Sequence, residues 1–255
     1  MVRDAPHYRA DAFRSGLKHC GFEVCVRIAD PDPGDLVLVW NRYGETHHEG
    51  RRFEKAGARV LVAENGYCGR DWRGGIWYAI AHNWHNGRGS WFVGGPERAH
   101  AQFDEPEPWA PGTGPVLVLG QRGIGAEPVV APNGWFAGVL RSLQANGVPV
   151  VFRDHPGRDP DTDGLARALY GARAAVTWTS SAGLRAILAG VPCYHGLPQW
   201  IAAPAAVPFA TPLPPPFLGD RWPMLERLAW AHWELSEIAS GVAFDYLLCG
   251  PAQKL

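Results

Sequence analysis

The 255-residue sequence predicts an α/β protein composed of two similar units. In each half of the chain, short apolar segments rich in β-branched residues alternate with segments that have the apolar spacing of amphipathic helices. Residues 103–115 interrupt this alternation with prolines, glycines and acidic residues, a composition typical of a domain boundary. Apolar residues make up 46% of the chain, which is enough for two hydrophobic cores. We therefore expect two Rossmann-like domains that face a cleft.

The first predicted domain covers residues 1–112. Its β-rich segments, expected to be strands, are 23–28, 35–40 and 58–63. Amphipathic helices are expected near 9–19 and 47–56, between or before these strands. Such alternation of strand and helix is typical of a parallel sheet.

The second predicted domain covers residues 113–219 and repeats the pattern. Its strands are expected at 116–120, 148–153, 174–179 and 191–194, and its helices at 133–145, 163–170 and 183–189. Six prolines between 203 and 216 predict an extended connection without regular structure. Residues 220–255 are predicted to form C-terminal helices, with a helix over 223–248 that breaks near Gly241.

Composition and charge exclude several classes of protein. The 24 basic and 25 acidic residues nearly cancel, so the chain has no overall field that attracts nucleic acid or an anionic membrane. The five cysteines form no C-x-x-C pair, which argues against a disulfide framework and a zinc knuckle. No apolar run approaches the roughly 20 residues of a membrane span, and the first residues do not resemble a signal sequence. We expect a cytoplasmic protein.

Polar clusters that follow neighbouring predicted strands indicate one anion site. His155-Pro156 follows one strand, and Thr179-Ser180-Ser181 ends the next. The carboxyl ends of parallel strands meet at one edge of the sheet, where helix amino termini offer N–H groups to a phosphate. The residues expected around a nucleotide phosphate are Gln121, Arg122, Gly123, Arg153, His155, Thr179, Ser180 and Ser181. The structural alternative is that the histidine ends a strand and the serines cap a helix.

These motifs resemble the donor-binding half of GT-B glycosyltransferases. The Arg-Asp-His-Pro segment ending at Pro156 and the Thr-Ser-Ser-Ala-Gly segment ending at Gly183 are similar to the HP and SS motifs of bacterial sialyltransferases, polysialyltransferases and capsule polysaccharide transferases. The closing segment 230–248 also resembles capsule-type proteins. The resemblance implies a GT-B-like fold whose C-terminal helices pack back. It also implies a UDP- or CMP-linked nucleotide sugar as co-substrate, without a further cofactor.

The same families carry an acidic-x-Gly motif whose carboxylate is the general base. Glu64-Asn65-Gly66 matches it, with Asn65 in place of the usual second acid. The resemblance thus implies Glu64 and His155 as catalytic residues. From the residues alone, Glu64 lies at a strand's carboxyl end, where the alternative is a carboxylate that caps the following turn. A bound metal is not expected, because Asp161-Thr-Asp163 precedes a predicted helix and is assigned to its cap.

The acceptor side of the site is expected in the first domain. The candidate residues are Asn41, Arg42, Tyr43, Asn65, Tyr67, His82 and His85, with ordinary turn residues as the alternative. The length and several aromatic segments also resemble small glycosyltransferase-like proteins of tailed phages, some of which modify hydroxymethylated bases in DNA. The acceptor is therefore either a 5-hydroxymethylpyrimidine in DNA or a glycan of a surface polysaccharide. For DNA, phosphate contacts are expected from a basic amino-terminal face, comprising Arg3, His7, Arg9, Arg14, Lys18 and His19.

A non-enzymatic alternative also follows from the sequence. A degenerate transferase fold can bind a nucleotide or a glycan without catalysing transfer. The presence of Glu64, His155 and the serine pair favours the enzyme.

Overall fold

The protein is described by a computed structural model that covers residues 8–156 and 162–249. The chain divides into two compact units: Met1–Arg98 with Glu226–Leu255 form the first, and Ala99–Leu225 form the second. The first unit therefore combines an amino-terminal and a carboxyl-terminal segment. Across the described parts of the chain, no helix has both the length and the apolar character needed to cross a membrane.

The chain alternates helices and strands along most of its length. The helices are α1 (Ala10–His19), α2 (Glu45–Lys55), α3 (Glu97–Gln102), α4 (Trp135–Ala145), α5 (Thr162–Leu169), α6 (Ser181–Leu188), α7 (Trp222–Ala231), α8 (Leu235–Ala239) and α9 (Val242–Cys249). The strands are β1 (Leu36–Trp40), β2 (Arg59–Asn65), β3 (Trp77–His82), β4 (Val116–Leu119), β5 (Val150–Arg153), β6 (Ala174–Thr177), β7 (Cys193–His195), β8 (Val207–Pro208) and β9 (His232–Glu234). The division between the units falls within α3 and within α7.

The sheet of the first unit has the strand order β1-β2-β3-β9. β1 and β2 are parallel, whereas β3 is antiparallel to both of its neighbours. This mixed sheet corrects the prediction of a Rossmann-like first domain. The predicted strand at 23–28 does not form, and Val26 there is 77% exposed, because an alternating pattern yields a strand only where a neighbour pairs with it.

The carboxyl-terminal segment also differs from the sequence prediction. Its apolar spacing predicts one long helix, but His232–Glu234 leave the helix and pair with β3 as strand β9. The predicted break near Gly241 is confirmed, since α8 ends at Ala239 and Gly241 has a φ of 88°. Residues of α8 and α9 pack with α1 on the first sheet, so these helices complete the core of the first unit.

The two faces of the first sheet carry different cores. One face, with Leu61, Tyr78 and Ile80, packs against residues of α1, α8 and α9. The other face carries Val60 and Val62, which form a second core with Phe53 of α2 and with side chains of β1. Alternate residues of a strand project from opposite faces, so Glu64 continues the row of Val60 and Val62.

The second unit contains the predicted parallel sheet. Its strand order is β5-β4-β6-β7-β8, and each neighbouring pair is parallel. Val116, Val118 and Val176 are buried between this sheet and side chains of α4. Leu119 pairs with both Arg153 and Thr177, so β4, β5 and β6 end side by side. The segment at 203–216 contains only a 3₁₀ turn and the short strand β8, which agrees largely with the extended connection expected from its prolines.

Candidate active site

Glu64 belongs to a row of residues that crosses three strands of the first sheet. It pairs with Ala79 of β3, and Ala79 pairs with His232 of β9. Directly opposite residues on neighbouring strands project from the same face, so these three side chains share one face. Val60 and Val62, earlier on the same strand and face, are each 1% exposed. On this face of β2, the side chains that follow one another are therefore two valines and then the carboxylate of Glu64.

The loop that follows β3 holds the carboxyl group of Glu64. The backbone N–H of Asn86 donates a 2.5 Å hydrogen bond to Oε1, and the hydroxyl of Tyr67 donates another. Both bonds lower the pKa of Glu64, but burial of the carboxyl group has the larger effect and raises the pKa to about 7. The residue as a whole is half-buried. Glu64 therefore offers a carboxyl group that exchanges a proton near neutral pH.

Tyr67 and Arg227 connect the loop to the rest of the first unit. The hydroxyl oxygen of Tyr67 accepts a 3.2 Å hydrogen bond from the N–H of Gly87, and Arg227 of α7 donates a 3.0 Å bond to the carbonyl of Gly87. Burial, with the Glu64 charge as a further cause, raises the pKa of Tyr67. The hydroxyl consequently stays protonated and remains a donor to the carboxylate.

Left-handed backbone conformations shape this loop. Asn83, Asn86 and Gly87 have φ values of 66°, 57° and 83°. Asparagine and glycine adopt this conformation more readily than other residues. The two N–H groups that contact Glu64 and Tyr67 belong to residues in this conformation. The Asn-Gly pair at 86–87 therefore suits the backbone geometry that the carboxylate contacts require.

Arg42 and His85, both predicted as acceptor-binding residues, lie inside the first unit. Arg42 is fully buried, and its guanidinium donates two 2.6 Å hydrogen bonds to the carboxylate of Glu54. The same guanidinium lies 4.4 Å from the ring centroid of Trp84. The backbone N–H of Arg42 donates to Nδ1 of His85, which is 3% exposed. These side chains support the loop from within the unit.

The other predicted acceptor residues have different surroundings. Asn41 directly follows β1 with a φ of 46°, Tyr43 is 60% exposed, and Asn65 is exposed at the end of β2. His82 projects from the face opposite Glu64, where its Nε2 lies 2.8 Å from the carbonyl of Leu247. The structure therefore brings Tyr67 together with Glu64, but it does not bring His82 there.

In the second unit, Gln121 and Thr179 meet beyond the ends of β4 and β6. The hydroxyl of Thr179 donates to Oε1 of Gln121 at 3.3 Å, and the amide of Gln121 donates to the carbonyl of Val129 at 3.3 Å. Thr179 is 1% exposed. Both predicted donor-site residues thus hold the loop at 120–130 against the end of β6.

Ser180 begins α6 in the manner of an N-cap residue. Its hydroxyl accepts a 3.2 Å hydrogen bond from the N–H of Ala182, and its own N–H donates to the hydroxyl of Thr177 at 2.9 Å. Ser181 is the first helical residue and is exposed. The expected helix cap is present, and a capping hydroxyl and a bound anion contact the same kind of helix-terminal N–H group.

His155 lies two residues beyond the end of β5. Its backbone N–H donates to Oδ1 of the preceding Asp154 at 2.7 Å. Burial lowers the pKa of His155, the charge of Arg122 lowers it further, and Asp154 opposes this effect. Arg153 ends the strand, and its carbonyl accepts from the N–H of Gly120 at 2.9 Å. The charge of the exposed Arg122 therefore acts on the imidazole of His155, and a shared anion site at these residues stays a prediction.

Gly123 contributes a left-handed turn to the same loop, with a φ of 68°. Asp161 lies outside the described residues, as does the side chain of Asp163, so their assignment to a helix cap stays a prediction. Within residues 8–156 and 162–249, no group of three or more histidine, cysteine or acidic side chains is arranged to hold a metal ion.

Part of the predicted basic face for DNA is engaged within the protein. Arg14 pairs with Asp11 at 3.1 Å, and Nδ1 of His19 lies 3.2 Å from the carbonyl of Ala239. Arg3 and His7 lie outside the described residues. DNA as the acceptor stays a prediction.

Sequence reasoning missed Asn86, Arg227 and His232 as neighbours of the Glu64 motif. Asn86 contributes its backbone N–H, which leaves no side-chain signature beyond the turn-forming Asn-Gly pair. Arg227 and His232 lie in the carboxyl-terminal segment, far along the chain from Glu64. The pairing of β9 with β3 and the contact of Arg227 with Gly87 bring this segment into the first unit.

Comparison with known proteins identifies a related fold. A solved structure of KpsC from Thermosulfurimonas dismutans, described as a beta Kdo 2,7 transferase, is similar with a TM-score of 0.50 and 16% identity over 82% of this chain and 84% of that chain. A second KpsC structure from the same organism, described as a beta Kdo 2,4 transferase, has a TM-score of 0.46 and 14% identity over 76% of this chain and 78% of that one. No family model and no curated protein sequence matches the chain. The likeness to the first structure shows a shared fold.

Proposed function

We propose that this protein is a glycosyltransferase that moves a sugar from a nucleotide-sugar donor to an acceptor hydroxyl. The observation that carries the proposal is the carboxyl group of Glu64, held by Asn86 and Tyr67 with a pKa of about 7. A general base is most effective when its pKa lies near the working pH. The fold shared with a transferase structure supports the same class of reaction.

In the proposed reaction, the first unit binds the acceptor and the second unit binds the donor. Glu64 takes the proton of the acceptor hydroxyl, and the hydroxyl oxygen forms a bond to the anomeric carbon of the sugar. The bond from that carbon to the phosphate oxygen breaks, and the nucleotide leaves with the electron pair. The charge of Arg122, the imidazole of His155 and the N–H groups at the start of α6 stabilise the departing phosphate.

The proposed enzyme has a GT-B-like arrangement and uses a UDP- or CMP-linked sugar. It transfers the sugar without a bound metal, and its acceptor is a glycan of a capsule or surface polysaccharide. The phosphate contacts assigned above are cationic or N–H groups of the protein, so the proposed chemistry does not require a divalent ion. A 5-hydroxymethylpyrimidine in DNA is the alternative acceptor.

The test incubates the purified protein with UDP-, CMP-, GDP- and TDP-linked sugars, first alone and then with oligosaccharides or DNA that contains 5-hydroxymethylcytosine. Nucleotide release and a sugar increment in mass spectrometry are the readouts. We expect release from one donor class, transfer to an oligosaccharide, and unchanged rates in EDTA. Transfer to DNA alone would change the acceptor, loss of activity in EDTA would overturn the metal-free mechanism, and no release from any donor would contradict the proposal.

A further inference from the structure

His232 is a buried histidine whose ring makes no hydrogen bond within the described structure. It is 0% exposed, and neither Nδ1 nor Nε2 has a hydrogen-bond partner among the described residues. Its ring stacks on Trp77, with ring centroids 4.9 Å apart and planes 21° apart. An unsatisfied buried polar group is unfavourable, so its presence calls for an explanation.

The ring of His232 reaches the turn that follows Glu64. A Cβ atom placed on Gly66 would lie only 2.2 Å from Nε2 of His232 and 2.9 Å from Cβ of Trp77. Ala79 stands between Glu64 and His232 in the row across the sheet. Glycine at position 66 is therefore required by the imidazole.

The turn at Gly66 connects this contact to the carboxyl group of Glu64. The N–H of Gly66 donates to the carbonyl of Trp77 at 3.0 Å, and the N–H of Gly69 donates to the carbonyl of Gly66 at 3.0 Å. Tyr67, which donates to Glu64, lies within this turn. A shift of the turn would therefore move the Tyr67 hydroxyl relative to the carboxylate.

We propose that His232 is a positioning residue for Glu64: its imidazole packs against Gly66 and fixes the turn that places Tyr67 on the carboxylate. The role rests on the proposed function of Glu64 as a base. His232 itself touches no substrate in this account. Its effect passes through packing, so the shape and reach of the side chain matter rather than its charge.

The test compares His232→Ala, His232→Gln, Gly66→Ala and the double variant His232→Ala with Gly66→Ala. Glutamine keeps a planar polar group with similar reach, whereas alanine leaves the turn unsupported. We expect His232→Ala and Gly66→Ala to lower kcat by roughly 10- to 100-fold per folded molecule, because small misplacements of catalytic groups have effects of this size.

The KM for the donor should not change in these variants. His232→Gln should retain most of the wild-type rate that His232→Ala loses. The double variant should lose less than the product of the single losses, since the clash at Gly66 is partly removed.

A second readout does not depend on turnover. A ¹³C-carboxyl NMR titration, with Glu64 assigned through Glu64→Gln, should show the pKa of Glu64 rising further above its ordinary value in His232→Ala, because the displaced Tyr67 hydroxyl no longer stabilises the carboxylate. An unchanged Glu64 pKa together with an unchanged kcat per folded molecule would overturn the positioning role and leave the transferase proposal intact.

If wild-type protein transfers no sugar, the proposed function fails, and the titration alone decides the positioning role. If His232→Ala does not fold, the titration of His232→Gln and Gly66→Ala at low temperature decides the question.

Discussion

The backbone N–H of Asn86 donates a 2.5 Å hydrogen bond to Oε1 of Glu64, which joins the loop after β3 to the carboxyl end of β2. This bond favours the charged carboxylate, while burial of the same group favours the protonated form. The balance leaves a pKa of about 7, so the folded protein contains an ionisable group that destabilises it at alkaline pH. That property can be measured without knowledge of the substrate.

Replacement of Glu64 by glutamine should stabilise the protein at pH 8. The pKa of Glu64 is raised from its ordinary 4.5 to about 7 by folding. Its favourable contribution is therefore complete below pH 4.5 and is lost as the pH rises through 7. We expect Glu64→Gln to raise the free energy of unfolding at pH 8 by up to about 3 kcal/mol, with little gain at pH 4.

Urea denaturation of wild type and Glu64→Gln at the two pH values measures this difference. The variant Glu45→Gln, at an exposed position, serves as the control. Equal stability of wild type and Glu64→Gln at pH 8 would contradict the raised pKa.

Replacement of Tyr67 by phenylalanine should raise the pKa of Glu64 further. The Tyr67 hydroxyl donates to the carboxylate and lowers its pKa, so its removal favours the protonated acid. We expect the acidic limb of the kcat–pH profile to move to higher pH. A limb at the wild-type position would show that this hydrogen bond does not act on the base.

The ring of His232 should make the protein sensitive to acid. Burial is the main cause, with the charge of Arg98 as a second, and together they lower the pKa of His232 from 6.5 to about 3. The unfolded chain binds a proton at His232 more strongly, so stability is complete above pH 6.5 and falls as the pH decreases towards 3. The loss attributable to this group reaches up to about 5 kcal/mol at pH 3.

The comparison of wild type with His232→Gln isolates this contribution, because other groups titrate in both proteins. Denaturation between pH 7 and pH 4 should show a shallower loss of stability in His232→Gln. The exposed His48→Gln should follow wild type. Parallel curves for wild type and His232→Gln would refute the lowered pKa.

Two substitutions at Ser180 should separate helix capping from anion binding. Ser180→Ala removes the bond to the N–H of Ala182 and should cost about 1 kcal/mol of stability. Ser180→Asp keeps a good capping group, so its stability should remain near that of wild type, but its negative charge should repel a phosphate. Calorimetry with the bare nucleotide should show weaker binding for Ser180→Asp than for Ser180→Ala. The opposite order would assign Ser180 to the helix cap alone.

The second unit is the part of the fold that the sequence predicts well. The central strand β4 is buried on both faces, since Val116 and Val118 are 0% exposed on one face and Leu117 is 3% exposed on the other, so a continuous apolar run identifies it directly. The same pattern indicates where neighbouring strands end. It therefore also predicts that Gln121 and Thr179, which follow two of these strands, lie close together.

The first unit is harder to predict because its sheet depends on pairings between distant segments. β9 has the apolar spacing of a helix, and only its pairing with β3 makes it a strand. For the same reason, no local pattern reveals that His232 lies against Gly66 or that Arg227 contacts the loop at Gly87. The motif alone points to Glu64, whereas the groups that set its pKa are brought to it by the fold.

The transfer rate of Glu64→Gln at saturating donor and acceptor tests the central claim most directly. The amide cannot accept the proton of the acceptor hydroxyl, so we expect the rate to fall about 10²- to 10⁴-fold while the calorimetric affinity for the nucleotide remains that of wild type. The control Glu45→Gln should transfer sugar at the wild-type rate. A Glu64→Gln protein that is folded, binds the nucleotide and transfers sugar at the wild-type rate would contradict the assignment of Glu64 as the base.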